Sequence, residues 1–340
     1  MPKHILAPYL MENSVHEIRV SDLQRMTHLN IAFAHVKNSI VTVKHLKHLN
    51  RIAVYKSVNP ELKVILSVGG WGADGFNQAA KTKEGRESFA KTAMDIVLKW
   101  DFDGIDIDWE YPCSDQAGIA YGPEDKVNFT LLLEELRKTL DEKGKMNGKK
   151  YLLTAAVGGE SYFIEGTEMD KVAQILDYVN LMTYDLRGGF THVAGHHASL
   201  GPQTGDENGP CSMRTVQIYH DAGVPYEKMV LGAAFYGRVW ENVTSTENNG
   251  LGQVAKTTGS GHVRFNLQDE EQIKLHGYTK YFDEKAQAPY LFNGKNFVSF
   301  EDKASIKAKC DFVKEKGLAG MMYWAYGNHQ LFEAMSENLD

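Results

Sequence analysis

Eight short apolar runs rich in β-branched residues recur along this chain, and amphipathic helical patterns follow most of them. Near-continuous apolar strands that alternate with helices indicate a parallel sheet covered on both faces. Eight strand–helix units in succession predict an α/β fold, the (β/α)8 TIM barrel. The predicted strands are Ile5–Leu10, Leu29–Val36, Lys63–Val68, Gly104–Glu110, Leu152–Val157, Tyr178–Tyr184, Met229–Phe235 and Gly320–Tyr326. The clearest predicted helices are Val43–Val58, Glu84–Trp100, Pro123–Leu140, Met169–Leu176, Ser212–Ala222 and Lys303–Lys316.

The strand–helix alternation is interrupted once, between the seventh and eighth predicted strands. Phe235 and Gly320 lie about 85 residues apart, and a loop of such length without structure is improbable in a compact domain. Strand-like pieces at Tyr278–Asp283 and Pro289–Asn293, with glycine- and asparagine-rich turns nearby, indicate a small α+β insertion. We therefore expect a barrel formed by residues 1–238 and 298–340 and an insertion domain formed by residues 239–297.

The composition limits the classes of partner. A net charge of −7, from 37 basic and 44 acidic residues, argues mildly against nucleic acid and anionic membranes. No stretch approaches 18 consecutive apolar residues, so no membrane span is expected. The N-terminus lacks the apolar core and cleavage site of a signal peptide. We expect either a cytoplasmic protein or a secreted one whose leader has been removed, and we expect a monomer.

Three cysteines, Cys113, Cys211 and Cys310, are present and no CxxC motif occurs. An odd number without that motif argues against a disulfide framework and against a thiolate zinc site. One disulfide together with one free thiol stays open.

The fourth predicted strand carries a row of three carboxylates. Side chains alternate between the two faces of a strand, so Asp106, Asp108 and Glu110 share one face. A central barrel strand has no solvated face, and buried unpaired carboxylates are costly. The row therefore predicts a functional site near the C-terminal mouth of the barrel, where such barrels place their active sites.

Two chemistries fit this row. A hard cation such as Mg²⁺ could bind the carboxylate oxygens, and the spacing alone leaves that open. The other chemistry is proton transfer, because like charges this close raise the pKa of at least one carboxyl. We favour proton transfer, with Glu110 protonated near neutral pH as a general acid and with Asp106 and Asp108 sharing a proton. Neither a metal nor a cofactor is expected.

The segment Asp103–Glu110 reads DGIDIDWE and resembles the DGxDxDxE signature of family 18 glycoside hydrolases, the chitinases and their relatives. Other segments resemble elements of that family at strand ends, in the same order along the chain. They are Leu29–Phe33, Ser67–Trp71, Met182–Asp185, Phe235–Arg238 and Tyr323–Trp324. The resemblance covers nearly the whole chain, and the insertion is similar to that of the chitinase subfamily with a deep groove.

The resemblance implies a retaining, substrate-assisted mechanism, which departs from the usual two-carboxylate scheme. In it the 2-acetamido group of the substrate attacks its own anomeric carbon, while Glu110 protonates the glycosidic oxygen and later activates water. Asp108 accepts a hydrogen bond from the acetamido N–H, and Tyr184 donates one to the acetamido oxygen. Asp106 shares a proton with Asp108.

The resemblance also implies which residues bind substrate or support the site. Trp324 is expected to form a hydrophobic floor under the sugar, with Trp71 and Tyr111 lining neighbouring subsites. The other expected substrate-binding residues are Gly70, Asp185, Met182, Arg238, Tyr236, Phe33 and Tyr9. Ser67 and Tyr9 are expected to offer hydroxyls to Asp106, and Asp103 is expected to support the start of the strand.

Some of these assignments keep an alternative. Asp185 and Arg238 could form only an ion pair with each other, and Phe33 could belong to the core. Trp109 and Trp100 are assigned to the core, whereas Trp240 could flank the groove.

Three polar features stay outside this scheme. We interpret the segment that holds His192, His196 and His197 as a solvated loop rather than a metal site. Arg187, on the same loop, could touch substrate. Glu160, near the mouth of the barrel, has no assigned role.

The leading function is that of a chitinase, which hydrolyses β-1,4 bonds between N-acetylglucosamine units of chitin or chito-oligosaccharides. An endo-β-N-acetylglucosaminidase acting on N-glycans is one alternative, although that branch usually lacks the insertion. A chitin-binding lectin on the same scaffold is another, although such proteins have typically lost the catalytic glutamate and Glu110 is present. A metal-dependent hydrolase is the fourth.

Overall fold

A computed structural model describes residues 4–339 of the chain. Its strands are β1 Ile5–Met11, β2 His28–Lys37, β3 Ile40–Thr42, β4 Lys63–Gly69, β5 Gly104–Asp108, β6 Leu152–Gly158, β7 Tyr178–Met182, β8 Met229–Ala234, β9 Arg238–Trp240, β10 Thr279–Asp283, β11 Ala288–Phe292, β12 Phe297–Ser299 and β13 Gly320–Trp324. Its α-helices are α1 Val20–Leu23, α2 Arg51–Val58, α3 Phe76–Lys81, α4 Lys83–Trp100, α5 Asp125–Asn147, α6 Ser161–Glu165, α7 Met169–Ile175, α8 Ser212–Asp221, α9 Glu270–Leu275, α10 Lys303–Lys316 and α11 His329–Leu339.

Eight parallel strands close into a barrel in the order β1-β13-β8-β7-β6-β5-β4-β2, and pairing of β1 with β2 completes the circle. This confirms the predicted (β/α)8 barrel. The apolar strand residues are buried, as Leu66 on β4, Ile105 on β5 and Leu153 on β6 illustrate. The strands read as near-continuous apolar runs because the helical layer covers their outer faces and the barrel interior covers the rest.

The predicted helix Val43–Val58 is wrong in its first half, because the observed α2 begins only at Arg51. The preceding residues form turns that bury Leu46 and Leu49 in the main core. Glu12 accepts a hydrogen bond of 2.6 Å from the backbone N–H of Lys47. Tertiary contacts of this kind override a helical apolar pattern.

A second sheet lies between β8 and β13 in the sequence. Its four antiparallel strands have the order β10-β11-β12-β9. Apolar side chains from these strands form two small clusters, one around Phe297 and the other around Leu291. We keep the domain division at residues 239 and 297 as a proposal, while the sheet itself runs from Arg238 to Ser299.

The expectation that Trp240 flanks a groove is wrong. Its side chain is fully buried on β9 against Phe297. The indole N–H donates a 3.0 Å hydrogen bond to the carbonyl of Thr191. The indole thus belongs to the small apolar cluster of the sheet, together with Phe292 and Phe297.

The three cysteines, Cys113, Cys211 and Cys310, are free thiols in the structure. Within residues 4–339, no helix combines the length and the apolar character that a membrane crossing requires.

Candidate active site

A cavity of about 1300 Å³ opens where the barrel strands end. Its lining combines aromatic rings with carboxyl groups, and most of the residues predicted from the sequence contribute to it. The predicted residues that line the cavity are Tyr9, Phe33, Trp71, Asp108, Glu110, Tyr111, Met182, Tyr184, Asp185, Tyr236, Arg238 and Trp324. Asp106, which was predicted to be catalytic, does not line the cavity, and neither do Ser67 and Asp103, which were predicted to support the site.

Asp106 is buried under the cavity and accepts four hydrogen bonds from uncharged donors. Tyr9 and Ser67 donate to Oδ2 at 2.9 and 2.7 Å, as predicted. Thr154 and Asn180, which the sequence did not single out, donate to Oδ1 at 2.7 and 3.1 Å. Burial nevertheless raises the pKa of Asp106, and the four hydrogen bonds oppose that effect.

Asp106 and Asp108 were expected to share a proton, but no hydrogen bond joins their side chains within residues 4–339. Both Asp106 oxygens are already engaged by their four donors. The Oδ1 atom of Asp108 is buried and has no hydrogen-bond partner among residues 4–339. Burial raises the pKa of Asp108 well above its usual value, and the charges of Glu110 and then Asp106 add to this effect.

Glu110 follows the end of β5 and faces the cavity, with 8% of its surface exposed. Burial raises the pKa of its carboxyl to about 7. The hydroxyl of Tyr111 opposes the increase, and the charge of Asp185 adds to it. Glu110 therefore keeps its proton up to near-neutral pH, which is the protonation state that a general acid needs.

Asp185 stands beside this group as a fixed negative charge. Arg238 donates two hydrogen bonds to its carboxylate, at 2.7 and 2.6 Å, and His197 Nδ1 lies 3.4 Å from its Oδ1 atom. Burial opposes ionisation, but His197 and Arg238 together hold the pKa of Asp185 well below its usual range. The predicted ion pair exists, and both of its members also line the cavity.

Trp324 ends β13 and is half-buried in the cavity wall. Its ring stacks on Phe33 with 5.4 Å between centroids and 16° between planes, and it lies 5.9 Å from the ring of Tyr9. Trp71 is 65% exposed and meets Tyr111 edge-on at 6.2 Å. These rings offer apolar surface for a flat ligand at two places along the cavity.

Gly70 does not line the cavity, contrary to the substrate-binding role predicted for it. Its φ of +93° is in the left-handed region, and a Cβ atom there would lie 2.7 Å from the ring of Phe33. Its N–H donates a 3.0 Å hydrogen bond to the carbonyl of Asp108. A glycine is needed here because of the backbone conformation and the packing of Phe33.

Asp103 supports the start of β5. Its carboxylate accepts a 2.8 Å hydrogen bond from the N–H of Val64 and contacts Lys56 and Lys149 at 2.9 Å each. These contacts lie away from the cavity and tie β5 to β4.

The interpretation of the three histidines as a solvated loop is wrong for His196 and His197, which are buried, and holds for His192, which is exposed. His196 Nε2 lies 3.2 Å from Asp283 on β10, and the N–H of His197 donates to Ser299 on β12 at 2.9 Å. The four-stranded sheet therefore covers the part of the loop that holds His196 and His197 and leaves His192 exposed.

Comparison with known proteins agrees with the geometry. The sequence profile described as Glycosyl hydrolases family 18 matches residues 5–328. The chain belongs to this family. It is similar to Chitinase A1 of Niallia circulans, with 40% identity over 82% of this chain and 42% of that protein. It is also similar to Chitotriosidase-1 of Mus musculus, with 34% identity over 88% of this chain and 66% of that protein.

A solved structure of a family 18 N-acetylglucosaminidase from Paenibacillus barengoltzii is 43% identical, with a TM-score of 0.94. The match covers 99% of this chain and 100% of that one. By contrast, this chain spans only 42% of the length of the Niallia circulans protein and 66% of the length of the Mus musculus protein.

Several lining residues of this family 18 site escaped the sequence reasoning. They include Gln116, Tyr162, Phe190 and His262, and the lining also includes Glu160, which the sequence placed near the mouth of the barrel without a role. Phe190 is 71% exposed and follows Gly188 and Gly189 in the loop after β7. A large exposed aromatic beside two glycines, just after the end of a barrel strand, was a signal that could have identified it.

The guanidinium of Arg187, which was considered for contact with substrate, instead forms an ion pair with Asp206 and is absent from the cavity lining. Nowhere within residues 4–339 do three or more histidine, cysteine, aspartate or glutamate side chains come together in an arrangement that could hold a metal ion.

Proposed function

We propose that this family 18 chain hydrolyses β-1,4-glycosidic bonds between N-acetylglucosamine units of chitin or chito-oligosaccharides. The observation that carries the proposal is that Glu110, whose raised pKa keeps it protonated near neutral pH, and the carboxyl group of Asp108 line one aromatic-rich cavity. An acid and an acceptor in one pocket suit a substrate that presents both a glycosidic oxygen and an amide N–H.

The proposed mechanism is retaining and substrate-assisted. Glu110 donates its proton to the glycosidic oxygen while the acetamido oxygen of the same sugar attacks the anomeric carbon. The C–O bond to the leaving sugar breaks, and an oxazolinium-like intermediate forms. Glu110, now a carboxylate, then takes a proton from water as that water attacks the anomeric carbon. The bond between the anomeric carbon and the acetamido oxygen breaks, which restores the acetamido group, the acid and the configuration.

Asp108 and Tyr184 orient the acetamido group in this scheme. The carboxylate of Asp108, which lines the cavity, accepts the amide N–H and, when ionised, stabilises the positive charge that develops on the ring. Burial, with the charges of Asp108 and Glu110 adding to it, raises the pKa of the Tyr184 hydroxyl well above its usual value. That hydroxyl therefore stays protonated and donates to the acetamido oxygen.

The stacked surface of Trp324 and Phe33 supports the sugar at the cleavage point, because the C–H face of a pyranose packs well on an indole ring. Trp71 and Tyr111 supply a second apolar surface for a neighbouring unit. In this proposal Asp185, Arg238, Tyr236 and Met182, which also line the cavity, surround the acetamido group.

A second candidate is an N-acetylglucosaminidase that releases single sugars from chain ends. The observation that favours it is the match along the full length of the Paenibacillus barengoltzii N-acetylglucosaminidase. Both candidates require the same acid and the same acetamido contact, so they differ in product size rather than in chemistry.

Chromatography of the products from an N-acetylglucosamine hexamer tests both candidates. Internal cleavage yields dimers to tetramers at early times, whereas release from chain ends yields monomer and pentamer. Glu110→Gln should lower turnover by a factor of about 10²–10⁴, the usual contribution of a general acid, while oligosaccharide binding persists. Near-native turnover in this variant would contradict the proposed role of Glu110.

A further inference from the structure

Glu160 is an unassigned carboxylate in the wall of the cavity. It follows β6, in the turn that leads into α6, and its side chain is half-buried. It lines the same cavity as Glu110 and Tyr162. Within residues 4–339 its carboxylate makes neither a hydrogen bond nor an ion pair, which is unusual for a partly buried charged group.

The cations around Glu160 are already neutralised by other carboxylates. Arg187, whose positive charge acts on Glu160, is paired with Asp206. Arg238, which also lines the cavity, is paired with Asp185. The carboxyl group of Glu160 is therefore left without a protein partner, and burial raises its pKa while Arg187 opposes that effect.

A positively charged group in the substrate would give the carboxylate of Glu160 the partner that the protein does not supply. We propose that Glu160 binds the ammonium group of a glucosamine unit, so that partly deacetylated chitin is a preferred substrate of this site. The inference rests on the proposed function. The sugar at the cleavage point must keep its acetyl group, because that group attacks the anomeric carbon. The unit that Glu160 binds is therefore a neighbour of the cleaved one.

A charge-assisted hydrogen bond in a partly desolvated pocket is stronger than one between neutral groups. The preference for an ammonium over a neutral acetamide should therefore be about tenfold in kcat/KM. Glutamine at position 160 keeps the shape and the hydrogen-bonding capacity toward sugar hydroxyls but loses the charge. Glu160→Gln should thus remove the preference and change turnover of fully acetylated oligomers by less than about twofold.

The test compares fully acetylated chitin oligomers with partly deacetylated ones of defined composition. Products are sequenced from both ends by mass spectrometry. For the native enzyme, N-acetylglucosamine should always occupy the new reducing end, and glucosamine should be enriched at one adjacent position. Glu165→Gln is the matched control, since Glu165 lies five residues further on, is exposed and does not line the cavity.

If glucosamine is not enriched next to the cleaved unit in the products of the native enzyme, the inference is overturned while the proposed function stands. The same holds if Glu160→Gln keeps an unchanged preference. Failure to hydrolyse the fully acetylated oligomers would count against the proposed function instead. Calorimetric binding of partly deacetylated oligomers to Glu110→Gln and to Glu110→Gln/Glu160→Gln measures the same preference without turnover. Equal affinities in that comparison would also refute the inference.

Discussion

Glu110 is expected to destabilise the folded protein at alkaline pH, so Glu110→Gln should be more stable than the native chain there and equally stable in acid. The reason is the raised pKa: the buried carboxyl titrates at about 7 in the folded protein, against an ordinary value of 4.5. Burial is the main cause, and the negative charge of Asp185 adds to it. Glutamine occupies the same space and cannot ionise.

The sign follows from proton linkage. Below pH 4.5 the carboxyl is protonated in both the folded and unfolded chains, and Glu110 contributes no difference. Between pH 4.5 and about 7 the unfolded chain releases the proton and the folded chain keeps it, so the relative stability of the folded state falls. Above about pH 7 both forms are ionised and the penalty is constant.

The difference between the two pKa values corresponds to about 3 kcal/mol, at about 1.4 kcal/mol for each tenfold change in a dissociation constant. For a chain of 340 residues with an unfolding entropy of about 2.1 cal/mol/K per residue, that is a shift of about 4 °C in Tm. Loss of the Glu110 charge also removes its repulsion of Asp108, which raises the pKa of Asp108 in the native protein. This second effect also favours a higher Tm for Glu110→Gln at alkaline pH.

Thermal unfolding of both proteins at pH 4 and at pH 8.5 measures the effect. Glu110→Gln should raise Tm at pH 8.5 and leave it unchanged at pH 4. The exposed Glu165→Gln serves as the control and should leave Tm unchanged at both pH values. An equal change at both pH values, or a lower Tm for Glu110→Gln at pH 8.5, would refute the reasoning from burial.

Three further predictions concern activity. The kcat/KM should decline as the pH rises through about 7, because Glu110 must carry a proton. Asp185→Asn should move this decline to lower pH by removing a neighbouring negative charge. An unchanged pH profile in that variant would show that the charge of Asp185 does not affect Glu110. Trp324→Ala should lower kcat/KM about tenfold or more through lost stacking while circular dichroism stays native, and unchanged kinetics would show that the sugar does not stack there. His197→Ala should move the decline with pH less than Asp185→Asn does, because Arg238 still pairs with Asp185 and keeps it ionised; a shift as large as that of Asp185→Asn would show that His197 is needed for the charge on Asp185.

The carboxylate row was predictable because the period of a strand is two, and the alternation of Asp106 and Asp108 with Ile105 and Ile107 is visible in the sequence. The ring of donors around Asp106 was predictable only in part. Thr154 lies opposite Asp106 in the register between β5 and β6. That register depends on how the barrel closes, which the apolar pattern of separate strands does not specify.

The buried histidines were missed for a different reason. A loop segment of glycine and two histidines has the polar composition of a solvated loop, and its own sequence contains no sign of what covers it. The residues that cover it, Asp283 and Ser299, lie about 90–100 positions further along, on the separate antiparallel sheet. The sequence indicates that an insertion exists, but it does not indicate that the insertion packs on this loop.

Asp103, which immediately precedes β5, and Asp106, which lies within it, carry the same side chain in different surroundings. Asp103 contacts two lysines, and its charge is neutralised where it joins the strands. Asp106 is held instead by four neutral donors, which stabilise its charge without cancelling it. Burial raises the pKa of Asp108 most, followed by the charge of Glu110, and the negative field of Asp106 adds to them. A lysine in place of the four donors would neutralise the field of Asp106. Under the proposed mechanism that field must remain, because it stabilises the positive charge that develops on the sugar above it. The proposed mechanism therefore accounts for the hydroxyl and amide donors around Asp106, whereas the lysines around Asp103 neutralise a carboxylate that joins two strands.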